Sequence, residues 1–263
     1  MNVYLLRHTA DPEKLVAQAA KLCYSDASMP ELQQTIESQD IQRFIKMLTD
    51  IGHESTMEHA SFTFGVEGIS RITEIQLVRK RIASYSVKSG RYVKRDNPPF
   101  IIPTAIQESP EALEEFDKAR LASITAYNKI FIILVLKGMG YSDEIIKGMS
   151  EDARIRLIEE FKASDKREYS RLEKEAIEDA RYVHMQSLST SLIVTMNASS
   201  LRGFFKARCC RRAQWEIREM ANLMLKEVRA VAPNIFYNAG PRCVRGKCPE
   251  GKMSCGRPFP VVK

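Results

Sequence analysis

Two strand-like segments that lie far apart in the chain constrain the fold most. Residues 59–66 alternate and contain two phenylalanines, and residues 188–196 are short, apolar and β-branched. The first pattern predicts a strand, and the second predicts a strand or the start of a buried helix. Between them, residues 110–138 follow the helical period of 3.6 in their apolar positions. A chain in which strands are separated by long helices is predicted to belong to the α+β class.

The other elements follow from the same periods and from the positions of proline and glycine. Residues 2–7 predict a first strand, and Asp11 followed by Pro12 predicts the start of a helix. Further segments are predicted as helices at about 30–50, 69–83, 198–207 and 211–231, a loop at 84–91, an extended segment at 91–102, and an exposed, highly charged helical insertion at about 142–178. We therefore predict one catalytic domain over 1–239 and a loop-rich, cysteine-rich tail over 240–263.

Composition and hydropathy exclude several classes of protein. The chain is 44% hydrophobic and 28% charged, which is typical of a globular protein and not of a disordered one. Its longest strongly apolar run, Phe131–Leu136, is shorter than the roughly 20 residues that a membrane span needs. The N-terminus has no basic, apolar secretory signal. We expect a cytoplasmic protein without a membrane partner.

The positive charge of the chain is concentrated in two short stretches. The net charge of +7 points to anionic partners such as nucleotides, phosphates or nucleic acid. The basic residues of the two stretches are Arg79, Lys80, Arg81, Lys88, Arg91, Lys94 and Arg95, and then Arg202, Lys206, Arg208, Arg211 and Arg212. Arginine forms bidentate bonds with phosphate, and serine hydroxyls can fill the remaining acceptors. Residues 79–92 therefore fit either a phosphate-binding loop or a solvated basic helix end.

The order of residues in this stretch resembles the signature of flavin-dependent thymidylate synthases, the ThyX type. That motif reads Arg-His-Arg, then spaced Ser, Asn and Ser, then Arg-Tyr. The matching positions are Arg79, Arg81, Ser84, Ser89, Arg91 and Tyr92. Residues 52–59 are similar to the family's Gly-His-Glu-x-x-x-Glu-His segment. Further matches are Gln76, residues 179–181, residues 195–198, Arg208 and residues 213–217, so the similarity extends from the first helix to about residue 237.

The resemblance implies a fold and a reaction. The fold would be α+β, with a central antiparallel sheet flanked by long helices. The protein would be a homotetramer with its active sites where subunits meet. The reaction would transfer the methylene group of methylenetetrahydrofolate to C5 of dUMP, with NADPH reducing a bound FAD that supplies the hydride. The products would be dTMP and tetrahydrofolate.

The resemblance also implies roles for single residues. The residues that match the dUMP-binding set are Gln76, Ser89, Arg91, Arg181 and Arg208, and those that match FAD contacts are His53, Arg79, Lys80, Arg81 and Asn197. Arg208 and Ser89 are the candidate catalytic residues. Arg208 would stabilise charge that develops on the uracil ring. Ser89 is interpreted as a substrate contact and not as a nucleophile, because no histidine that could activate it lies nearby in the sequence. A buried structural role is the alternative for His53.

Several positions differ from the family pattern. They are Lys80 for histidine, Ser86 for asparagine, Val87 for an acid or amide, Ser199 for arginine, Gly203 for asparagine, Arg212 for histidine and Cys23 for serine. Most of them fall among residues that surround FAD in the family. Two hypotheses therefore remain: a flavin-dependent thymidylate synthase, or a divergent nucleotide-binding relative with altered or lost FAD chemistry. A nucleic-acid-binding protein is a third and weaker one, since few aromatic side chains lie near the basic stretches.

The cysteines form a separate pattern. Cys243, Cys248 and Cys255 lie in a glycine-rich tail, and Cys209 or Cys210 could supply a fourth thiolate. Four thiolates can bind zinc or an iron–sulfur cluster. The spacing matches neither a zinc ribbon nor a bacterial ferredoxin, so reduced thiols in a mobile tail are the alternative.

Overall fold

The computed structural model describes residues 1–37, 40–92 and 97–262. The strands are β1 (Asn2–His8), β2 (Ser61–Ser70), β3 (Ala83–Val87) and β4 (Ser189–Asn197). The helices are α1 (Pro12–Leu22), α2 (Met29–Glu37), α3 (Ile41–Asp50), α4 (Arg71–Val78), α5 (Thr104–Gln107), α6 (Pro110–Gly138), α7 (Asp143–Gly148), α8 (Glu151–Ser164), α9 (Lys166–Ala180), α10 (Ala198–Arg208) and α11 (Trp215–Val231). Short 3₁₀ helices lie at Ser55–His59, Arg181–Val183, Arg242–Arg245 and Gly251–Met253.

The chain divides into two compact units. Unit 1 comprises residues 1–69, 73–87 and 190–263, and unit 2 comprises residues 70–72 and 88–189. The cysteine-rich tail therefore belongs to the unit that holds the sheet. The predicted boundary between a catalytic domain over 1–239 and a tail over 240–263 does not coincide with these units, and it stays a prediction.

Unit 1 is built on a four-stranded antiparallel sheet in the order β1-β2-β4-β3. Alternate residues of β2 and β4 point into the core, and Phe62, Phe64 and Val194 are fully buried there. Helices α1, α10 and α11 cover this face with Val16, Phe205, Met220 and other buried apolar side chains. The predicted α+β class with a central antiparallel sheet is confirmed.

Unit 2 has a second apolar core, formed by helices. Tyr127, Phe131 and Val135 of α6 pack with Tyr169 and Ile177 of α9. The predicted insertion at 142–178 is helical, as expected, and most of its residues are exposed, but the predicted exposure does not hold for the face of α9 that packs into this core. One face of α9 is buried while its charged residues lie on the other face, because the apolar positions repeat with the helical period.

Helix α6 also bears on the expected absence of a membrane partner. By length and composition, its 29 residues could cross a membrane, and 28% of the most apolar window is buried in the structure. A core helix of a globular protein passes the same test, and α6 contributes buried side chains to unit 2. The short run Phe131–Leu136 was therefore not a sufficient reason to exclude a membrane span, and the absence of a membrane partner stays a prediction.

Several predicted elements differ in their limits, and the helix predicted at 69–83 is the shorter α4, Arg71–Val78. The helix predicted at 30–50 is two helices, because the side chain of Asp40 accepts a hydrogen bond from the Arg43 backbone N–H at 3.0 Å and caps α3. Part of the loop predicted at 84–91 is β3, which pairs with β4 from Ala83 opposite Met196 to Val87 opposite Leu192. Its exposed serines alternate with half-buried Ala83, Tyr85 and Val87, so the serine content concealed a strand period of two. Lys94 and Arg95 of the basic stretch lie outside the described residues.

Candidate functional site

The basic run at the end of α4 is held by a tyrosine of β3. The Tyr85 hydroxyl lies 2.9 Å from the carbonyl oxygens of both Leu77 and Lys80, so it ties the end of the helix to the sheet. Burial raises the pKa of Tyr85 to about 12, and the group stays a neutral donor. Ile82, which lies between the end of α4 and the start of β3, has a φ of 60°, a backbone conformation that a β-branched residue rarely adopts. The backbone of the basic residues 79–81 is therefore held in a defined conformation between α4 and β3.

Two positions that differ from the family pattern are neighbours in space. A Cβ atom on Gly203 of α10 would lie 3.4 Å from the Lys80 Nζ atom. The long lysine side chain thus reaches the surface that a larger residue at position 203 would cover. The differences from the family pattern at positions 80 and 203 therefore form one local change and not two independent losses of side chains.

This geometry predicts the effect of adding a methyl group at Gly203. We expect Gly203→Ala to raise the free energy of unfolding by up to about 1 kcal/mol, because glycine costs about that much inside a helix and only a flexible lysine end must move. The matched variant is Gly138→Ala, whose Cβ would lie 2.5 Å from the buried Leu172 side chain. It is expected to lower the free energy of unfolding by about 1–3 kcal/mol. Urea unfolding of both variants measures the contrast, and a destabilised Gly203→Ala would contradict it.

Within unit 2 the structure brings together three of the residues matched to the dUMP set. The Ser89 hydroxyl accepts a hydrogen bond from the backbone N–H of Arg91 at 3.1 Å. The Arg91 guanidinium pairs with Glu178 at 2.8 Å, and Arg181 Nε donates to the Glu178 carbonyl oxygen at 3.1 Å. A Cβ on Gly90 would lie 3.4 Å from Arg181 Nη1, so glycine permits this close approach. Two guanidinium groups and a serine hydroxyl therefore surround a short turn.

The segment that matches Gly-His-Glu lies between α3 and β2. Gly52 has φ of 76°, which favours glycine at this position. His53 is half-buried, with its ring edge-on to Tyr24 at 6.2 Å between centroids. Its assignment as an FAD contact stays a prediction. Glu54, the third residue of the segment, points instead to a cluster of cations.

Glu54 holds a buried arginine that sequence reasoning did not single out for a role. Arg202 of α10 is fully buried, and its guanidinium donates to Glu54, to the carbonyl oxygen of Ile235 and to Asn238 Oδ1. Lys206 and Arg245 also lie within 3.1 Å and 3.5 Å of Glu54 Oε1. Burial alone would raise the pKa of Glu54, but the hydrogen bond from Lys206 and the three cations outweigh it and lower that pKa. The cluster joins the motif segment, α10 and the tail.

The remaining matched residues lie in unit 1. Asn197 is the N-cap of α10, where its Oδ1 accepts from the Ser200 N–H at 2.7 Å and its amide nitrogen stays available. Gln76 is half-buried on α4. Arg208 is the last residue of α10 and lines a cavity of about 380 Å³. Among the described residues, no hydrogen bond or ion pair engages the side chains of Arg79, Arg81 or Arg208.

The candidate metal ligands are also in unit 1. Cys210, Cys243, Cys248 and Cys255 line the same cavity as Arg208. Cys209 does not line it and is buried, which raises the pKa of its thiol to about 12. In the part of the chain that the structure describes, no group of three or more His, Cys, Asp or Glu side chains converges to hold a metal ion. Of the two alternatives for the fourth cysteine, the structure favours Cys210.

Sequence reasoning missed two participants in this site. Glu178 holds Arg91 and Arg181, and Arg202 anchors the motif segment. The Arg181 contact uses the Glu178 backbone carbonyl oxygen, and Arg91 lies 87 positions from Glu178, so local spacing gave no signal for either contact. Arg202 stood in a basic stretch that was interpreted as pointing to anionic partners, and only the packing shows that it is buried.

Comparisons with known proteins identify a family and several relatives of this chain. Residues 4–234 match the family model described as "Thymidylate synthase complementing protein". A flavin-dependent thymidylate synthase of Clostridium tetani is 46% identical over 263 residues, which cover 100% of this chain and 96% of the relative. One from Geobacter sulfurreducens is 41% identical and covers 100% and 97% of the two chains.

A solved structure supports the fold. The crystal structure of the flavin-dependent thymidylate synthase ThyX from Helicobacter pylori, complexed with FAD and dUMP, matches with a TM-score of 0.55. It is 21% identical and covers 91% of this chain and all of that chain, so it bears on the fold alone. Fold and sequence together define an enzyme of the methyl-transferring class that makes thymidylate. The chain belongs to the flavin-dependent thymidylate synthase family.

Proposed function

We propose that this chain converts dUMP to dTMP, using methylenetetrahydrofolate as carbon donor, FAD as bound cofactor and NADPH as reductant. The observation that carries the proposal is the turn of Ser89, Gly90 and Arg91 beside Arg181 in unit 2. It combines charged and neutral donors in the pattern that a phosphate monoester requires. Family membership supplies the reaction class.

When no ligand is bound, the ion pair between Arg91 and Glu178 holds this turn in place. Both side chains are half exposed, at 50% and 42%, so the ion pair is weak. A nucleotide phosphate carries more charge than the carboxylate and offers more acceptor oxygens, so it can replace Glu178 as the partner of Arg91. Arg181 stays anchored through the Glu178 carbonyl oxygen.

The residues matched to FAD fit a phosphate-bearing cofactor. Arg79 and Arg81 are exposed guanidiniums without partners among the described residues, and Lys80 adds a third charge beside Gly203. The Asn197 amide can donate a further hydrogen bond. When bound, FAD accepts a hydride from NADPH and passes it to the one-carbon unit on the pyrimidine. The protein binds and orients the substrate and the cofactor, and it excludes water from them.

Two residues are assigned to the uracil end of the substrate. The Gln76 amide can donate and accept a hydrogen bond. Arg208 has a free guanidinium at the end of α10 and stabilises negative charge on the ring as carbon is transferred. Ser89 holds the backbone turn through its bond with the Arg91 N–H, which supports a substrate-binding role.

Assembly and location are part of the same proposal. Ile75, Val78 and Ile82 are 37%, 39% and 71% exposed near the basic run. Apolar side chains grouped on a surface are typical of an interface. We propose a homotetramer in the cytoplasm, with these side chains buried between subunits. Sedimentation measurements test the tetramer.

Replacing Arg91 tests the proposed phosphate site. We expect Arg91→Ala to weaken dUMP binding about 10- to 100-fold, since a hydrogen bond to a charged group contributes about 1.5–3 kcal/mol. Titration calorimetry with dUMP measures it. The matched control is Arg120→Ala, which removes a half-buried arginine of unit 2 whose only ion-pair partner among the described residues is Asp117 on its own helix. The control is expected to bind dUMP like the natural chain.

The full reaction is tested by conversion of labelled dUMP to dTMP with all three small molecules present. Visible absorption with added FAD and dUMP reports the cofactor in the same sample. A flavin spectrum that changes with dUMP, together with dTMP, supports the proposal. Tight dUMP binding without a flavin spectrum or dTMP would overturn it in favour of a nucleotide-binding relative that has lost FAD chemistry.

A further inference from the structure

The cysteine-rich tail is packed against unit 1 by several contacts. Arg245 reaches Glu54, Arg212 pairs with Glu250 at 3.3 Å, and the Val262 N–H donates to the Val244 carbonyl oxygen at 2.9 Å. The family model ends at residue 234, so the tail lies outside the residues that this model matches. A packed tail needs its own explanation.

Four thiols from two parts of the chain surround one cavity. Cys210 follows α10, while Cys243, Cys248 and Cys255 come from the tail, and all four line the cavity of about 380 Å³. All are free thiols, and the Cys243 Sγ atom accepts a hydrogen bond from the Phe259 N–H at 3.4 Å. The sequence separation between Cys210 and the tail makes this meeting a product of the fold.

The wall of the cavity is strongly basic. Its cations are Lys206, Arg208, Arg211, Arg212 and Arg242, against the single carboxylate of Glu250. Glu250 is already shared by Arg212 and by Arg242 at 3.9 Å. An excess of positive charge stabilises an anionic occupant. A metal group with four thiolates is such an anion.

The arrangement of the thiols distinguishes between two kinds of occupant. A single zinc ion draws four sulfurs to about 2.3 Å from one point. The four thiols here border a cavity of about 380 Å³, which is much larger than a single ion. A polyatomic group that carries its own sulfide fits that arrangement, because its ligands lie around it and not on one centre.

We propose that Cys210, Cys243, Cys248 and Cys255 bind an iron–sulfur cluster of the [4Fe–4S] type. Each thiol releases its proton to solvent as its sulfur bonds to one iron. The cluster joins the tail to the end of α10, two residues after Arg208. It is a site separate from the residues assigned to FAD, and its presence does not depend on the proposed reaction.

The test is anaerobic reconstitution of the full chain with equal amounts of ferrous and ferric iron and with sulfide, followed by gel filtration and assay of iron, acid-labile sulfide and zinc. We expect about four irons and about four sulfides per chain. Cys243→Ser, Cys248→Ser and Cys255→Ser are each expected to lose most of the iron. Cys23→Ser is the matched control, because Cys23 is exposed and does not line the cavity; it is expected to retain the iron.

A second measurement needs no variant and therefore no assumption about folding. The iron-loaded chain is treated with iodoacetamide and digested, and modified cysteines are identified by mass spectrometry. Cys23 is expected to react, and the four cavity cysteines are expected to be protected. Modification of these four in the loaded chain, iron that persists in the serine variants, one zinc per chain, or no bound metal would each overturn the proposal. Binding of dUMP to the same samples shows separately whether the nucleotide site is intact.

Discussion

The Arg202→Ala variant is expected to lose about 3–5 kcal/mol of its free energy of unfolding, the range for breaking a buried charged pair. Arg202 is fully buried and satisfies Glu54, the Ile235 carbonyl oxygen and Asn238 at once. Alanine removes this donor from the Ile235 carbonyl oxygen and Asn238 Oδ1 and leaves a cavity, while Glu54 keeps Lys206 and Arg245. Urea unfolding followed by the fluorescence of Trp215, which lies in unit 1, measures the loss. Arg43→Ala, at an exposed arginine of the same unit, is the control and is expected to change stability by less than about 0.5 kcal/mol.

The same cluster gives stability a pH dependence. The pKa of Glu54 is lower in the folded chain than in the unfolded one, so its contribution is present above the unfolded value and is lost as pH falls through the folded value. The loss of stability at acid pH is expected to be smaller in Glu54→Gln than in the natural chain.

If the free energy of unfolding of Arg202→Ala lies within about 1 kcal/mol of that of the natural chain, the cluster does not hold the fold as argued.

The Arg208→Ala variant is expected to lower kcat about 10²- to 10³-fold, as removal of one charge-stabilising donor does in other active sites. The free guanidinium at the end of α10 is assigned to the pyrimidine, where charge develops in the transition state. Arg208→Lys keeps the charge but not the paired donors, so an intermediate loss is expected. The rate of dTMP formation at saturating dUMP measures both variants.

Arg156→Ala is the control for this series, because Arg156 is an exposed arginine of α8. It is expected to retain the kcat of the natural chain. Iron content is measured in parallel, because Arg208 also lines the cysteine cavity. A change confined to KM would show that Arg208 binds the substrate equally in ground and transition states, contrary to the assigned role.

The sequence alone determined the class of fold and the family. Periods of 2 and 3.6 placed β1, β2, α6 and α11, since burial of one face forces the apolar pattern, but they left β4 open between a strand and the start of a buried helix. The ordered match from Gly52 to Arg208 is sufficient to identify the family, and the similarity to known relatives confirms it. Such motifs are legible because the chemistry of binding fixes residue type and spacing locally.

Only the tertiary structure decided which distant groups meet. It buried Arg202 under Glu54, set Lys80 against Gly203, and placed Cys210 on the same cavity as three cysteines of the tail. It also showed that Ser84 and Ser86 belong to a strand, because pairing with β4 and not serine content decides that element. These contacts depend on how helices and strands pack across long sequence separations. No local period or composition encodes that packing, which is why the sequence could name the residues of the site but not their partners.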